Sequence, residues 1–445
     1  MDRLFSGRDL AKLLIPLIIE QILSALMGTA DTLMVARIGE AAVSGVSNVD
    51  AINNLMLNIL VALATGGTIT CAQYLGAGEP VEANKAARQV LMVVTFVSVI
   101  FCAVCACMRA PILRLIFGGV EQDVMDDALV YFLITAMSYP FMGAYYASAA
   151  LYRAAGNARL PMVISVICNG LNILGNAVFL FVLGWGAMGA ALATTLSRIV
   201  QCLVILLCHR RQGQTIVLRD YHKIRPDLKM IKTVLRIGIP TGVENGVFQM
   251  GRLLVQSTVA TLSTAEIAAQ AVVNTLEFFT SMPSQAVGLG LVTVVGQCMG
   301  AGRKKEARQN IILLTAISEF LVVTVGLVIF AVTKPVIQLS GLSSQSGAIV
   351  YRMMLLITIV KPFVWPLAFT PPNGMRAAGD VSFCMLVSVL SMWIFRVVLC
   401  VVLIRVFHFG VIGVWIAMFV DWGDRALWNI WRFFSGKWME KKVLD

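Results

Sequence analysis

The stretch LLIPLIIEQILSALMGTADTLMVARIG, Leu13 to Gly39, decides how the rest of the chain is read. It is apolar and longer than the roughly 20 residues that a helix needs to cross a bilayer. It nevertheless carries two carboxylates, Glu20 and Asp31, eleven residues apart. At 3.6 residues per turn that is close to three whole turns, so both acids lie on one helical face, with Ser24 and Met27 between them. An acidic stripe on a membrane helix must look into protein or water, because exposing it to lipid is costly.

The same stretch returns later in the chain. IPLIIEQ at Ile15 to Gln21 reappears as IPTGVEN at Ile239 to Asn245, so Pro16 maps to Pro240 and Glu20 to Glu244 at an offset of 224 residues. That offset also carries Gln73 to Gln297, Gly76-Ala77-Gly78 to Gly300-Ala301-Gly302, and Glu82 to Glu306. Pro111 maps to Pro335, and Gly186 and Gly189 map to Gly410 and Gly413; at 223, Arg153-Ala154-Ala155-Gly156 matches Arg376-Ala377-Ala378-Gly379. One offset from the first apolar run to the last marks a duplicated membrane protein.

Composition agrees. Of 445 residues 58% are hydrophobic and only 13% charged, and the mean hydropathy is +0.83, outside the range of soluble domains. The net charge of +11 does not indicate nucleic acid, because the basic residues sit in short loops between apolar runs, as membrane orientation requires. Ten cysteines are scattered, mostly inside apolar segments, and none pairs with histidine at metal-ligand spacing, so they read as small packing residues. His209, His222 and His408 lie in loops or at helix ends. No cofactor or structural metal is expected. The first apolar run is too long for a cleavable signal, so the first helix is expected to stay.

Runs of spanning length fall at about 13–36, 51–75, 88–108, 128–149, 161–183 and 187–208, and again at about 233–258, 267–297, 311–333, 349–371, 381–404 and 411–431. The expected fold is an all-α polytopic membrane protein of twelve transmembrane helices in two six-helix lobes. An even number per repeat keeps both lobes in one orientation, related by a pseudo-twofold axis along the membrane normal. The boundaries expected are 1–208 for the first lobe, 209–232 for a polar linker, 233–431 for the second lobe and 432–445 for a tail.

Basic residues fall on one side: Arg3, Arg8 and Lys12; Lys85 and Arg88; Arg153 and Arg159; Arg210, Arg211, Arg219, Lys223, Arg225, Lys229 and Lys232; Arg303, Lys304, Lys305 and Arg308; and Lys437, Lys441 and Lys442. Opposite loops hold only Arg37, Arg109, Arg114, Lys334 and Arg405, while Glu121, Asp123, Asp126 and Asp127 form an acidic group there. The positive-inside rule then puts both termini in the cytoplasm of a cell-membrane protein.

Asp31 is the first candidate for chemistry, as a membrane carboxylate that takes up a proton or coordinates sodium; its competing reading is simple solvation near the helix end. Glu20 and Glu244 are candidates for coupling or substrate contact, in competition with a paired structural role. Asn169, Asn172 and Asn176, spaced by three and four, put amides near one face of the fifth helix. Buried amides must find partners, and these amides serve equally as oxygens for a cation or as links between helices. In the second half Arg252, Glu277, Glu319, Lys361, Arg396 and Asp421 also fall in apolar runs, where such groups pair or line an aqueous cavity. Glu277 is retained as a coupling or substrate candidate. Twenty-two methionines and as many phenylalanines suit promiscuous apolar ligands, though most would face lipid.

Taken in order, several motifs resemble the MATE family (multidrug and toxic compound extrusion): Pro16 with Ala30-Asp31-Thr32-Leu33-Met34-Val35 and Gly39, Gly76-Ala77-Gly78 with its copy, Arg153-Ala154-Ala155-Gly156-Asn157, Asn172 with Asn176, and Gly189-Ala190-Ala191-Leu192-Ala193-Thr194. The resemblance covers essentially the whole chain. It implies a proton- or sodium-coupled antiporter that exports organic cations or amphipathic drugs by alternating access, monomeric and with no nucleic-acid partner. It further implies that Asp31, Asn172, Asn176 and Thr194 form the cation site of the first lobe. The sequence departs from one branch of the family in placing Asn176 where a second aspartate is usual, and from another in placing Lys361 where the tenth helix carries an acid. The rival transporter reading is a lipid-linked precursor flippase of the same superfamily, which usually has two further helices and a basic cavity. A channel or membrane enzyme is the rival of another class; no nucleophile, base or metal constellation supports an enzyme.

Overall fold

Long apolar runs with no water to satisfy their backbone have one solution in a single chain of this kind, the α-helix. The computed structural model describes residues 4–37, 39–118, 121–210, 215–218 and 225–444, and contains no β-strand among them. Arg3, Arg211, Arg219, His222 and Lys223, which the sequence places in polar segments, lie outside the described residues. The helices are α1 (Gly7–Ala36), α2 (Glu40–Gly76), α3 (Pro80–Cys107), α4 (Arg109–Phe117), α5 (Gln122–Met137), α6 (Tyr139–Ala154), α7 (Arg159–Asn176) and α8 (Gly186–His209). They are followed by α9 (Leu228–Val259), α10 (Thr264–Gly300), α11 (Lys304–Leu339), α12 (Ser344–Ala377), α13 (Val381–Ser391), α14 (Cys400–Arg405) and α15 (Gly410–Ser435). Two π-helical stretches interrupt the α pitch, Ala177–Val182 after α7 and Met392–Leu399 between α13 and α14.

Helix is present at all twelve positions read as spans. Nine described helices are long and apolar enough to cross a bilayer, and α5 with α6, bent by 47°, makes a tenth. Helices α9 and α15 fall short of that measure. Each carries several charges: Lys229, Lys232, Arg236, Glu244 and Arg252 in α9, and Asp421, Asp424, Arg425 and Arg432 in α15. Large apolar side chains face outward along the spans, such as Phe96 and Val104 on α3 and Phe320 and Leu327 on α11, a surface suited to lipid and not to water.

The chain divides into two compact units. One is Gly7–Gly242; the other starts at Val243 and takes in the short segment before Gly7, whose Leu4 amide donates to Glu306 Oε1 at 2.6 Å. The division thus falls inside α9. Within the first unit α2 is central, packing on α3, α5 and α6 around Val49, Leu60, Phe132 and Tyr139. Gly66 lets it approach the start of α9 closely, for a Cβ there would stand 2.5 Å from the Val234 carbonyl oxygen. Small residues at such crossings are the usual means of packing membrane helices. Within the second unit α10, α11, α12 and α15 surround Met353, Met354, Trp415 and Trp422.

The duplication seen in sequence extends to backbone geometry. Gly78 and Gly302 leave α2 and α10 with φ of 77° and 71°, and Gly156 and Gly379 leave α6 and α12 with φ of 82° and 102°. Each pair closes the same six-to-one turn: Glu79 N to Tyr74 O and Arg303 N to Cys298 O, then Asn157 N to Tyr152 O and Asp380 N to Met375 O, at 2.8–3.0 Å. Positive φ at the end of a helix is the conformation glycine adopts without steric cost.

Candidate functional site

The residues singled out in the first repeat converge. Asp31 sits on the last turns of α1, and the amide of Asn176 on α7 donates to its Oδ1. The same amide nitrogen lies 3.4 Å from Asn172 Oδ1, and the Asn172 amide donates to Thr194 Oγ1 on α8 at 3.2 Å. Asn169, a turn earlier, is turned toward Ser165 at 3.4 Å instead. Two local features set this geometry. Gly175 lets α7 lie against α8, since a Cβ on it would stand 3.1 Å from the Ala193 Cβ. Asn176 is also the last α-helical residue before the π turn, a break in pitch often found at functional sites.

Asn176 is fully buried, and its own carbonyl oxygen has no hydrogen-bond partner among the described residues. A buried polar atom in that state is costly and is normally satisfied by water or an ion. The residue whose amide nitrogen meets Asp31 thus carries an unsatisfied neutral oxygen.

Two charged residues that the sequence reading did not single out complete the centre. Asp50 on α2 and Arg198 on α8 both lie within electrostatic reach of Asp31. Asp50 Oδ1 accepts from the Tyr131 hydroxyl at 3.1 Å and from the Asn53 amide at 3.1 Å, while Tyr139 donates to Asn53 Oδ1 at 2.7 Å. Arg198 donates to Ser138 Oγ at 2.7 Å, at the bend between α5 and α6. Ser138 in turn donates to the Thr135 carbonyl at 2.6 Å, and Thr135 Oγ1 lies 3.5 Å from the Asn53 amide. A continuous polar network therefore runs from Asp50 to Arg198. Two carboxyl groups thus stand near one guanidinium, an excess of one acidic group.

The other three acidic candidates are held by basic partners. Glu20 pairs with Arg153 at 3.1 Å, Glu244 with Arg376 at 2.6 Å and Glu277 with Lys361 at 2.6 Å. Arg153 and Arg376 are themselves repeat equivalents, so the first two pairs are one interaction made twice. Lys361 also donates to the hydroxyls of Thr280 and Ser281, the latter at 2.6 Å. These partners could not be read from spacing, because each joins side chains 80 or more residues apart in sequence.

A duplicated, all-helical membrane protein with a charged centre inside its first repeat has the architecture of a transporter. The chain belongs to the MatE family, whose model matches residues 16–178 and again 240–402, one match for each repeat. Among its relatives, a "Probable multidrug resistance protein NorM" of Thermotoga maritima is 29% identical over 98% of this chain and 94% of that protein. An "Uncharacterized transporter YisQ" of Bacillus subtilis is 26% identical over 99% of this chain and 96% of that one. Among solved structures, an outward-facing multidrug resistance MATE transporter superposes with a TM-score of 0.89 at 18% identity, covering 96% of both chains. A MATE structure in complex with MaD3S superposes equally well, covering 97% of this chain and 96% of that one. At such identities these two speak for the fold alone.

Proposed function

We propose that this transporter is a proton- or sodium-coupled antiporter that exports organic cations or amphipathic drugs by alternating access, with Asp31, Asn172, Asn176 and Thr194 as the cation site. The reading rests chiefly on one observation: Asn176, whose amide donates to Asp31, is fully buried, and its carbonyl oxygen has no partner among the described residues. The excess of one acidic group, in Asp31 and Asp50 against Arg198, supports a monovalent ion: with both acids ionised, one proton or one sodium ion brings the centre to neutrality. The names of several relatives as probable multidrug resistance proteins support a drug-like cargo.

In this mechanism a cation entering from outside neutralises Asp31, alters the packing of α1 against α7, and favours the state that discharges cargo. Each ligand biases the equilibrium only by its differential affinity for the two states. Glu20 and Glu244, each with its charge already balanced by an arginine, hold helix ends in place during the cycle. Glu277, paired with Lys361, belongs to the cargo side. The topology consistent with the loop charges has twelve spans and both termini in the cytoplasm, and the working unit is the monomer.

The test is dye efflux from proteoliposomes under separately imposed proton and sodium gradients, in wild type and Asp31→Asn. Ethidium efflux should follow one gradient in wild type and be lost in the variant while the protein remains membrane-inserted. Unchanged coupled efflux in the variant would sink the assignment.

A further inference from the structure

The repeats differ near the start of the helix that follows each Gly-Ala-Gly turn. Asn84 Oδ1 on α3 accepts from the Val217 amide of the linker at 2.8 Å. The offset of 224 puts Arg308 of α11 at the equivalent position. Half-buried, Arg308 lies over the rings of Phe433 and Phe434 at the end of α15, 5.5 and 5.9 Å from their centroids. Glu306, two residues earlier, is taken by Arg303 and the Leu4 amide. Asp380 pairs with Arg432, and Glu440 lies within electrostatic reach of that same arginine. Arg308 thus pairs with no carboxylate among the described residues. A guanidinium stacked on rings keeps the edge of its fork free, an arrangement that suits a phosphate.

The tail brings a second cation to the same end of α15. Gly436 turns the chain with φ of 71°, Trp438 is fully buried against Phe433, and its indole N–H donates to the Phe433 carbonyl at 3.1 Å. Val443 is buried too, against the turn at Gly379. A tail pinned at two points is not a loose basic strand. It holds the exposed Lys437 over the Trp431 ring, 6.0 Å from the centroid, with no ion pair among the described residues. Trp428, Trp431 and Phe434, spaced by three residues, are exposed along one side of α15. Aromatic rings beside snorkelling cations at a helix end are what a membrane interface selects.

We propose that this end of the second unit binds an anionic phospholipid. The phosphate sits on the free edge of Arg308, Lys437 adds a second positive charge at headgroup level, and the acyl chains run along Phe434, Trp431 and Trp428. In the first unit the linker itself occupies the equivalent position, so the site is confined to the second repeat. Basic loops in general attract anionic lipid diffusely; stacking on rings is what places the charge here. The site is independent of the coupling ion and of the cargo.

The probes are phosphatidylglycerol and phosphatidylcholine with identical chains, titrated into the full-length protein in detergent and counted by native mass spectrometry. One cation near the surface changes anionic-lipid affinity by roughly fivefold, so the first phosphatidylglycerol should bind at least about tenfold more tightly than the first phosphatidylcholine. Arg308→Gln and Lys437→Gln should each cut that preference by about fivefold, and Phe434→Ala should weaken both lipids. Arg308→Lys, which keeps the charge without the planar fork, should retain part of the preference. Lys304→Gln removes an exposed lysine that is stacked on no ring among the described residues, and should leave the preference within about twofold. Equal binding of the two lipids by wild type overturns the proposal, as does full preference in both Arg308 variants. A loss in Lys304→Gln as large as that in Arg308→Gln also overturns it, because the preference is then one of diffuse surface charge.

Discussion

Arg376 Nη2 lies 2.6 and 2.8 Å from the two carboxylate oxygens of Glu244, spanning both. In the repeat equivalent, Arg153 Nη2 lies 3.1 Å from Glu20 Oε1, and Glu20 Oε2 has no hydrogen-bond partner among the described residues. The two repeats therefore conserve the partners and differ in grip. Breaking a buried pair by neutralising one member leaves the other charge unpaired, a loss of about 3–5 kcal/mol. Glu244→Gln should lower the thermal midpoint of the purified protein more than Glu20→Gln, and Glu244→Gln with Arg376→Gln should recover part of the loss. Equal shifts for the two single variants would contradict this.

The charge balance around Asp31 makes a prediction that depends on compensation. Asp50→Asn leaves Asp31 facing Arg198 with no net charge, so the ion response should weaken by at least about tenfold, equivalent to about 1.4 kcal/mol. Asp50→Asn combined with Arg198→Gln restores one negative charge and should restore the response. Calorimetric sodium or proton titration of ligand-free protein measures it. A double variant no better than the single one counts against an electrostatic role for Asp50.

Gly175 tests the geometry without altering any charge. In Gly175→Val the added methyls would meet Ala193, whose Cβ is already 3.1 Å from the position of a Cβ at 175. Overpacking of this kind costs about 1–3 kcal/mol. The predicted result is a protein that still inserts but has lost the Asn172–Thr194 contact, and coupled efflux with it. Wild-type efflux at wild-type expression would show that the close approach is not needed.

Cys107 offers a direct check on orientation. It is the exposed one of ten free cysteines and lies at the end of α3. With both termini cytoplasmic, that end faces outward. A membrane-impermeant maleimide added to intact cells should label it, and Cys107→Ser should lose the signal. Labelling that requires permeabilised cells would invert the topology.

Much of the architecture was legible because a membrane leaves few options: apolar runs of spanning length became helices, and the repeat offset reappeared as matched glycine turns. The site was legible in part. Asn172 and Asn176 share a face by spacing alone, and resemblance supplied Thr194. Asp50 escaped notice because the second apolar run begins at Ala51, whereas the helix starts at Glu40; hydropathy sees where greasy sequence begins, not where helix does. Arg198 sat unremarked in the middle of an apolar run. The pairings of Glu20, Glu244 and Glu277 were hidden for another reason: each joins side chains from distant helices, and spacing along one helix carries no information about its neighbours.

The π stretch after Asn176 has a consequence for how such a protein can change over time. A widened turn accommodates one residue more than regular pitch would, so deleting a single residue between Ala177 and Val182 would let the stretch close to regular α pitch with its flanks still in register. The stretch can thus gain or lose a residue while Asn172 and Asn176, on the α-helical part before it, keep their places.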